Sequence, residues 1–337
     1  MRIKLFMAAA ALVICASTVG AQELKFANLG ECPLENGGAI LDCRLGYRTF
    51  GTLAQDKSNV ILFPTWASGR SEQILPYVGP GKFLDSSKYF IVVIDALSNG
   101  VSSSPSNSPQ QPRMQFPRIT IHDMVVAEHL FVTRELRLSH VIAVMGQSMG
   151  GMQTFEWMVA YPDFMDKAIP IVGSPKLASY DLIFWQTEID AIKTDPAWMQ
   201  GNYVKNPAVL AETRIGLLTM TPEWVDAQFP QGKITQAILD YTAAMDANDH
   251  IRQAEAMMAM DVSKSANGSM EEAAKRVKAK VLVIVSKQDR TVTPQPALDF
   301  AKLLNAQTLE LDSPCGHAAP ACEMQKVSAV VAEFLQK

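Results

Sequence analysis

The segment MGQSMGG (145–151) sets Ser148 between glycines two residues before and two after it. It follows the apolar run VIAVM and precedes a stretch with helical spacing. A strand that turns abruptly into a helix strains the turning residue, and side chains on its neighbours would collide. Glycine at positions 146 and 150 removes the collision and lets the Ser148 hydroxyl project clear of a sheet. The unpaired amides and positive dipole end of the helix's first turn then lie beside it. Such a serine can attack a carbonyl carbon. A nucleotide-binding reading fails on spacing: a Walker loop needs Gly-Lys-Ser/Thr, and a dinucleotide fingerprint needs other glycine intervals. An ordinary Gly-rich turn is the plain alternative, so the rest of the chain must supply the partners.

A serine hydroxyl is a poor nucleophile at neutral pH and needs a base within hydrogen-bond reach, itself held by a carboxylate. Behind an elbow of this kind the partners follow in the order serine, acid, histidine. VLVIVSKQDRTVTP (281–294) supplies Asp289 just past an apolar run, and TLELDSPCGHAAP (308–320) supplies His317 just past the last one. Open parallel sheets gather their sites at the carboxyl ends of strands, so Ser148, Asp289 and His317 are expected to converge. Asp289 has a second reading as a helix N-cap. Asp312 is the rival acid, but it lies only five residues before His317 on one strand-to-loop path, which makes facing the ring harder. His122 and His129 fall within a helix, His140 opens the nucleophile's strand, and His250 lies in the later helical region. Their spacing matches no metal site, and core or surface roles are expected for all four. For the oxyanion, one donor is expected from the amide of Met149 and the other from PTWASG (64–69), at Ala67 with Trp66 as second choice. Aspartate at the elbow would suit haloalkane or epoxide chemistry; serine selects acyl transfer.

These residues need a scaffold. AILDCRLGYRTF (39–50) alternates, with Cys43, Leu45 and Tyr47 on one face and Asp42, Arg44 and Arg48 on the other, as a half-exposed antiparallel strand does. NVILF (59–63), YFIVVID (89–95), HVIAVM (140–145), AIPIV (168–172), KVLVIV (280–285) and TLELD (308–312) are instead continuous apolar runs. Runs buried on both faces and separated by helical segments indicate a parallel sheet between helix layers. Two such segments are TIHDMVVAEHLFVTREL (120–136) and GMQTFEWMVAYP (151–162). The expected class is α/β, specifically an α/β-hydrolase fold: a mostly parallel sheet flanked by helices. Its core is expected over 22–175 and 276–337. Between them, 176–275 loses the strand–helix rhythm and reads as a helical cap inserted before the last strands.

The chain has 337 residues and a formal net charge of −4. Without Lys/Arg clusters it does not read as a nucleic-acid binder. Residues 1–21 carry Arg2 and Lys4, an apolar stretch and then small residues ending at Ala21. This reads as a secretory signal peptide cleaved after Ala21, because the stretch is shorter than the about 20 residues a membrane span needs. The protein is therefore expected to be secreted or periplasmic, with no stable membrane anchor. Beyond Cys15, four cysteines remain: Cys32, Cys43, Cys315 and Cys322. In an exported chain they suggest two disulfides. Of three possible connectivities the local one is favoured, since Cys32 and Cys43 flank an Asn36-Gly37-Gly38 hairpin turn and Cys315 and Cys322 bracket a short loop. The second bridge would straddle His317 and restrict its loop.

YRTFGTL (47–53), GPGKFLDSSKYFIVVIDALSNG (79–100), FPRITIHDMVVAEHLF (116–131) and GQSMGGMQTFEWMVAYPD (146–163) together make the chain resemble the homoserine O-acetyltransferase family of α/β-hydrolases. The resemblance covers most of the chain. It implies a triad on Ser148, Asp289 and His317, a helical cap and a homodimer formed through it. Members that acylate amino-acid hydroxyls are similar in carrying Gly-His-Asp at the end, where the acid helps hold the substrate amine. Here Gly316-His317-Ala318 lacks that acid, SNGVSSSPSNSP (98–109) is only partly like the family's Gly-rich stretch, and the leader directs the protein away from acetyl-coenzyme A. The expected function is thus an exported serine hydrolase of an ester or similar small acyl compound, using no metal or organic cofactor. The alternatives are an O-acyltransferase to a hydroxyl acceptor and a silent binding protein on a hydrolase scaffold.

Overall fold

The alternating segment at 39–50 and the apolar runs after it become one eight-stranded sheet, in the order β1-β2-β4-β3-β5-β6-β7-β8. The strands are β1 (Lys25–Pro33), β2 (Ala39–Phe50), β3 (Val60–Pro64), β4 (Phe90–Ile94), β5 (Val141–Gln147), β6 (Met165–Ile171), β7 (Lys280–Ser286) and β8 (Gln307–Leu311). The computed structural model describes residues 23–337 apart from 208, 243 and 244, so the expected signal peptide lies outside the described residues. β1 and β2 form an antiparallel hairpin and β2 is antiparallel to β4, whereas every other pairing is parallel. The hairpin turns at Asn36-Gly37-Gly38, where the Leu34 amide donates to Gly38 O and Asn36 Oδ1 accepts from the Gly38 amide. Cys32 and Cys43 are joined across it. Register shifts between Asn28 and Cys32 break the period-two pattern of β1, which is why that strand is not legible as an alternating run.

The apolar runs carry two hydrophobic faces each. Leu62, Val92, Val144, Ala168 and Val283 pack with α1 (Ile121–Arg134) and α2 (Met149–Ala160) in one cluster. Ile61, Val93, Met145, Ile169 and Ile284 point the other way, against Ile74, Val327 and Val331. Successive residues of a strand face opposite sides, so a run buried on both must be apolar throughout. Thr120 caps α1: its hydroxyl accepts from the Asp123 amide while the Asp123 carboxylate accepts from the Thr120 amide.

Between β6 and β7 the named elements are helical: α3 (Ser179–Thr194), α4 (Leu210–Leu218), α5 (Pro222–Gln228), α6 (Ile234–Thr242), α7 (Ala247–Met258) and α8 (Met270–Arg276). α3 packs on α4 and α7, and α4 on α6. α8 instead packs against α2 and α9 (Gln295–Leu303), as a layer of the sheet's own flank. The chain closes with α10 (Ala319–Cys322) and α11 (Met324–Gln336). Among the described residues no helix is long and apolar enough to cross a membrane.

Candidate active site

Ser148 stands between β5 and α2 with φ 58° and ψ −122°. Such a conformation costs on the order of 1–3 kcal/mol and persists only where the surroundings over-determine it. Here they do. The Ser148 amide donates to Ile171 O at 2.8 Å, and Ser148 O accepts the Met152 amide at 3.0 Å as the first bond of α2. A Cβ at Gly146 would sit 2.4 Å from Gly150 O, and one at Gly150 would sit 2.4 Å from Pro64 O. Both glycines are therefore dictated by the close approach of helix to strand, as the sequence spacing anticipates.

Asp289 lies three residues beyond β7 and is 4% exposed. Its Oδ1 accepts the amides of Thr291 at 2.9 Å and Val292 at 3.0 Å, which leaves Oδ2 aimed at His317 Nδ1, 2.6 Å away. His317 Nε2 is 2.8 Å from Ser148 Oγ. A carboxylate facing Nδ1 fixes the proton on that nitrogen, so Nε2 is the acceptor of the serine hydroxyl. The structure thus brings together all three residues singled out from their order along the chain. Asp312 turns outward with its side chain 67% exposed. Hydrogen bonding to Gln288 and the nearby Lys287 ammonium hold its carboxyl below the usual range.

His317 rides on a single helical turn at Gly316–Ala318, and the Cys315–Cys322 disulfide spans that turn. Two further contacts fix its loop. The Ser313 amide donates to Gln288 Oε1 at 3.1 Å, and Thr221 at the N-cap of α5 donates its hydroxyl to Pro314 O.

The Met149 amide opens α2, where an amide has no carbonyl within its own helix to bond. In the loop after β3, Trp66 to Gly69 make a tight turn in which the Gly69 amide donates to Trp66 O and Ser68 has φ 56°. Thr65 and Ser68 direct their amides to Ile94 O and Gln253 Oε1. The Ala67 amide takes part in none of the loop's backbone hydrogen bonds. Gln153 ties the loop after β3 to the start of α2, its Nε2 donating to Thr65 O at 3.1 Å and Met149 O at 3.3 Å.

The helices between β6 and β7 also reach the residues around Asp289. Asp181, at the start of α3, accepts from the amide and hydroxyl of Thr293, each at 3.1 Å, and so joins α3 to the loop carrying Asp289. Burial pushes the Asp181 carboxyl up, with the charge of Asp289 adding to the effect. Asp181, Thr221, Gln153 and Gln253 lack a motif of their own; their signal is a polar residue on an otherwise apolar helix face or at a cap.

The other histidines take structural places. His122 pairs with Glu156 at 2.7 Å, His129 stacks on Tyr161, and His140 bonds Asp166 at 3.0 Å. His250 is buried 3.1 Å from Glu188 and 3.6 Å from Glu212. Those three form the one group among the described residues whose donor atoms are close enough to hold a metal ion. They come from three separate helices, so no sequence spacing announces them. Burial pushes the Glu188 carboxyl up and opposes the charge of His250, but the hydrogen bond with Glu188 and the two nearby carboxylates raise His250 to about 8.

With this geometry in view the comparisons with known proteins are consistent among themselves. Residues 59–320 match the family model of the α/β hydrolase fold. The chain is 36% identical over 331 residues to an ethyl acetate hydrolase of Pseudomonas veronii, covering 91% of this chain and 94% of that protein. It is 32% identical to a homoserine O-acetyltransferase of Methanosalsum zhilinae, covering 94% of this chain and 74% of the other. The crystal structure of an acetylester hydrolase from Corynebacterium glutamicum superposes with a TM-score of 0.89 at 30% identity, over 94% of this chain and 96% of that one. The chain belongs to the α/β-hydrolase fold family, among relatives that include both ester hydrolases and homoserine O-acetyltransferases.

Proposed function

We propose that the protein is an exported serine hydrolase that cleaves esters of small acyl groups, acetate foremost. The observation that carries this reading is the continuous chain of hydrogen bonds from Ser148 through His317 to Asp289. His317 Nε2 takes the proton of Ser148 as Oγ attacks the ester carbonyl, and Asp289 steadies the imidazolium that results. The amides of Met149 and Ala67 receive the developing oxyanion. His317 then protonates the leaving alkoxide as the carbon–oxygen bond breaks, leaving an acyl-enzyme on Ser148. Water attacks that ester with His317 again as base, releasing the acid and restoring the serine. Each step uses side chains and amides of this chain.

Three observations favour water over an alcohol as the final acceptor. Ala318 follows His317, where the resemblance to homoserine O-acetyltransferases implies an acid in members that acylate amino-acid hydroxyls. Ethyl acetate hydrolase and acetylester hydrolase are among the similar proteins. The paired cysteines and the leader-like first 21 residues suit an oxidising compartment outside the cytoplasm. Incubation with p-nitrophenyl acetate, with and without homoserine as acceptor, tests the choice. Free acetate is expected as the main product in both cases, with no requirement for coenzyme A. Formation of O-acetylhomoserine faster than acetate would overturn the hydrolase reading in favour of a transferase.

A further inference from the structure

We infer that Gln253, on cap helix α7, is a positioning residue for the oxyanion donor at Ala67, so that the cap sets the geometry of the catalytic loop as well as covering the site. This rests on the serine-hydrolase reading given above.

Gln253 is completely buried. Its Oε1 accepts the Ser68 amide at 2.6 Å and its Nε2 donates to Leu97 O at 2.9 Å. One partner is a donor and the other an acceptor, so the side-chain amide is fixed in a single orientation. The consequence falls on the turn Trp66–Gly69. Ser68 occupies its third position with positive φ, a place that type II turns reserve for glycine or asparagine. The strain is held by the hydrogen bond that the Ser68 amide donates to Gln253, made one residue beyond the Ala67 amide. Losing that bond lets the turn relax and swings the Ala67 N–H away from the position of the oxyanion.

Gln253 can act this way because α7 is itself anchored to the core. Asp249 accepts from the Ser106 amide at 2.9 Å and hydroxyl at 2.6 Å, and Ser98 donates its hydroxyl to Asp249 O at 3.2 Å. Arg252 donates to Phe116 O at 3.0 Å and Met114 O at 2.9 Å. The connection between β4 and α1 thus holds, at three places along its length, the helix that holds the oxyanion turn. Coupling runs through packed hydrogen-bonded elements, with no moving lid required.

Two substitutions test the assignment. Gln253→Met keeps the volume and removes both bonds; kcat for p-nitrophenyl acetate is expected to fall about 10–100-fold, with KM within about threefold of wild type. Gln253→Glu keeps the shape but makes one bond conditional. The introduced carboxyl can donate to Leu97 O only when protonated, the form that burial favours; once ionised it is repelled by that carbonyl and turns its other oxygen off the Ser68 amide. The ratio of variant to wild-type kcat is therefore expected to be near one at pH 5 and to fall about tenfold by pH 8. Taking the ratio cancels the pH dependence that the variant and the wild type share. In both variants the inhibition constant for a trifluoromethyl ketone, which forms an oxyanion on the serine, should rise in step with the loss of kcat/KM. A ratio that stays flat with pH, or ketone inhibition unchanged while kcat falls, would overturn the assignment. So would failure of both variants to fold, which would make Gln253 a residue of stability alone. A wild type that neither turns over esters nor reacts with a fluorophosphonate would instead defeat the hydrolase reading itself.

Discussion

Ser148→Ala should lower kcat for p-nitrophenyl acetate by about 10⁶-fold, the scale seen when a serine hydrolase loses the oxygen that forms its acyl-enzyme. The remaining turnover should exceed that of the ester in water, because the oxyanion donors proposed above, the amides of Met149 and Ala67, are left in place. The fold should be unaffected. Ser148 Oγ contributes one hydrogen bond, to His317, while the backbone bonds to Ile171 and Met152 and the contacts of Gly146 and Gly150 keep the elbow in place. The melting temperature is therefore expected to stay within about two degrees of wild type, as scanning calorimetry would show. A large drop in both stability and activity would mean that the serine is an elbow residue first and a nucleophile only by appearance.

Asp289→Asn should cost about 10⁴-fold in kcat, and Asp312→Asn should leave it within about twofold. The difference follows from who donates to each carboxylate. Thr291 and Val292 both present amide hydrogens to Asp289 Oδ1. An introduced side-chain amide must turn its oxygen toward those donors, which directs its NH₂ group at His317 Nδ1. The ring can then accept at Nδ1 only by carrying its proton on Nε2, and Nε2 no longer accepts the proton of Ser148. Asp312 faces solvent, Lys287 and Gln288, so neutralising it disturbs nothing at the ring. Steady-state kinetics of the two variants side by side checks this. Equal losses, or a larger loss at Asp312, would contradict the orientation of the triad described above.

How much of this was legible in the sequence depends on the range of the forces involved. The elbow was, because its glycines answer a local steric demand: Cβ atoms at 146 and 150 would meet Gly150 O and Pro64 O. The parallel strands were, because burial on both faces requires continuous apolar runs, as Ile61 and Leu62 in opposite clusters show. Asp289 and His317 could be placed because strand order restricts where an acid and a base can reach the elbow. β1 escaped, since its bulges between Asn28 and Cys32 disrupt the alternation that marks a strand. The role of the helices in 176–275 escaped for a different reason. Asp181, Thr221 and Gln253 each reach across more than ninety residues to bond Thr293, Pro314 or Ser68, and nothing local encodes such pairings. The buried group of Glu188, Glu212 and His250 is of the same kind. Polar residues inside an apolar helix face are the one trace such contacts leave in a sequence.

The proposed hydrolysis depends on one oxygen being made reactive by an imidazole 2.8 Å away. Treatment with a fluorophosphonate followed by peptide mass spectrometry interrogates that oxygen directly. A single adduct is expected on Ser148 in the wild type, strongly slowed in His317→Ala and absent in Ser148→Ala. An unlabelled Ser148 in folded wild-type protein, or a label that forms equally fast without His317, would contradict it.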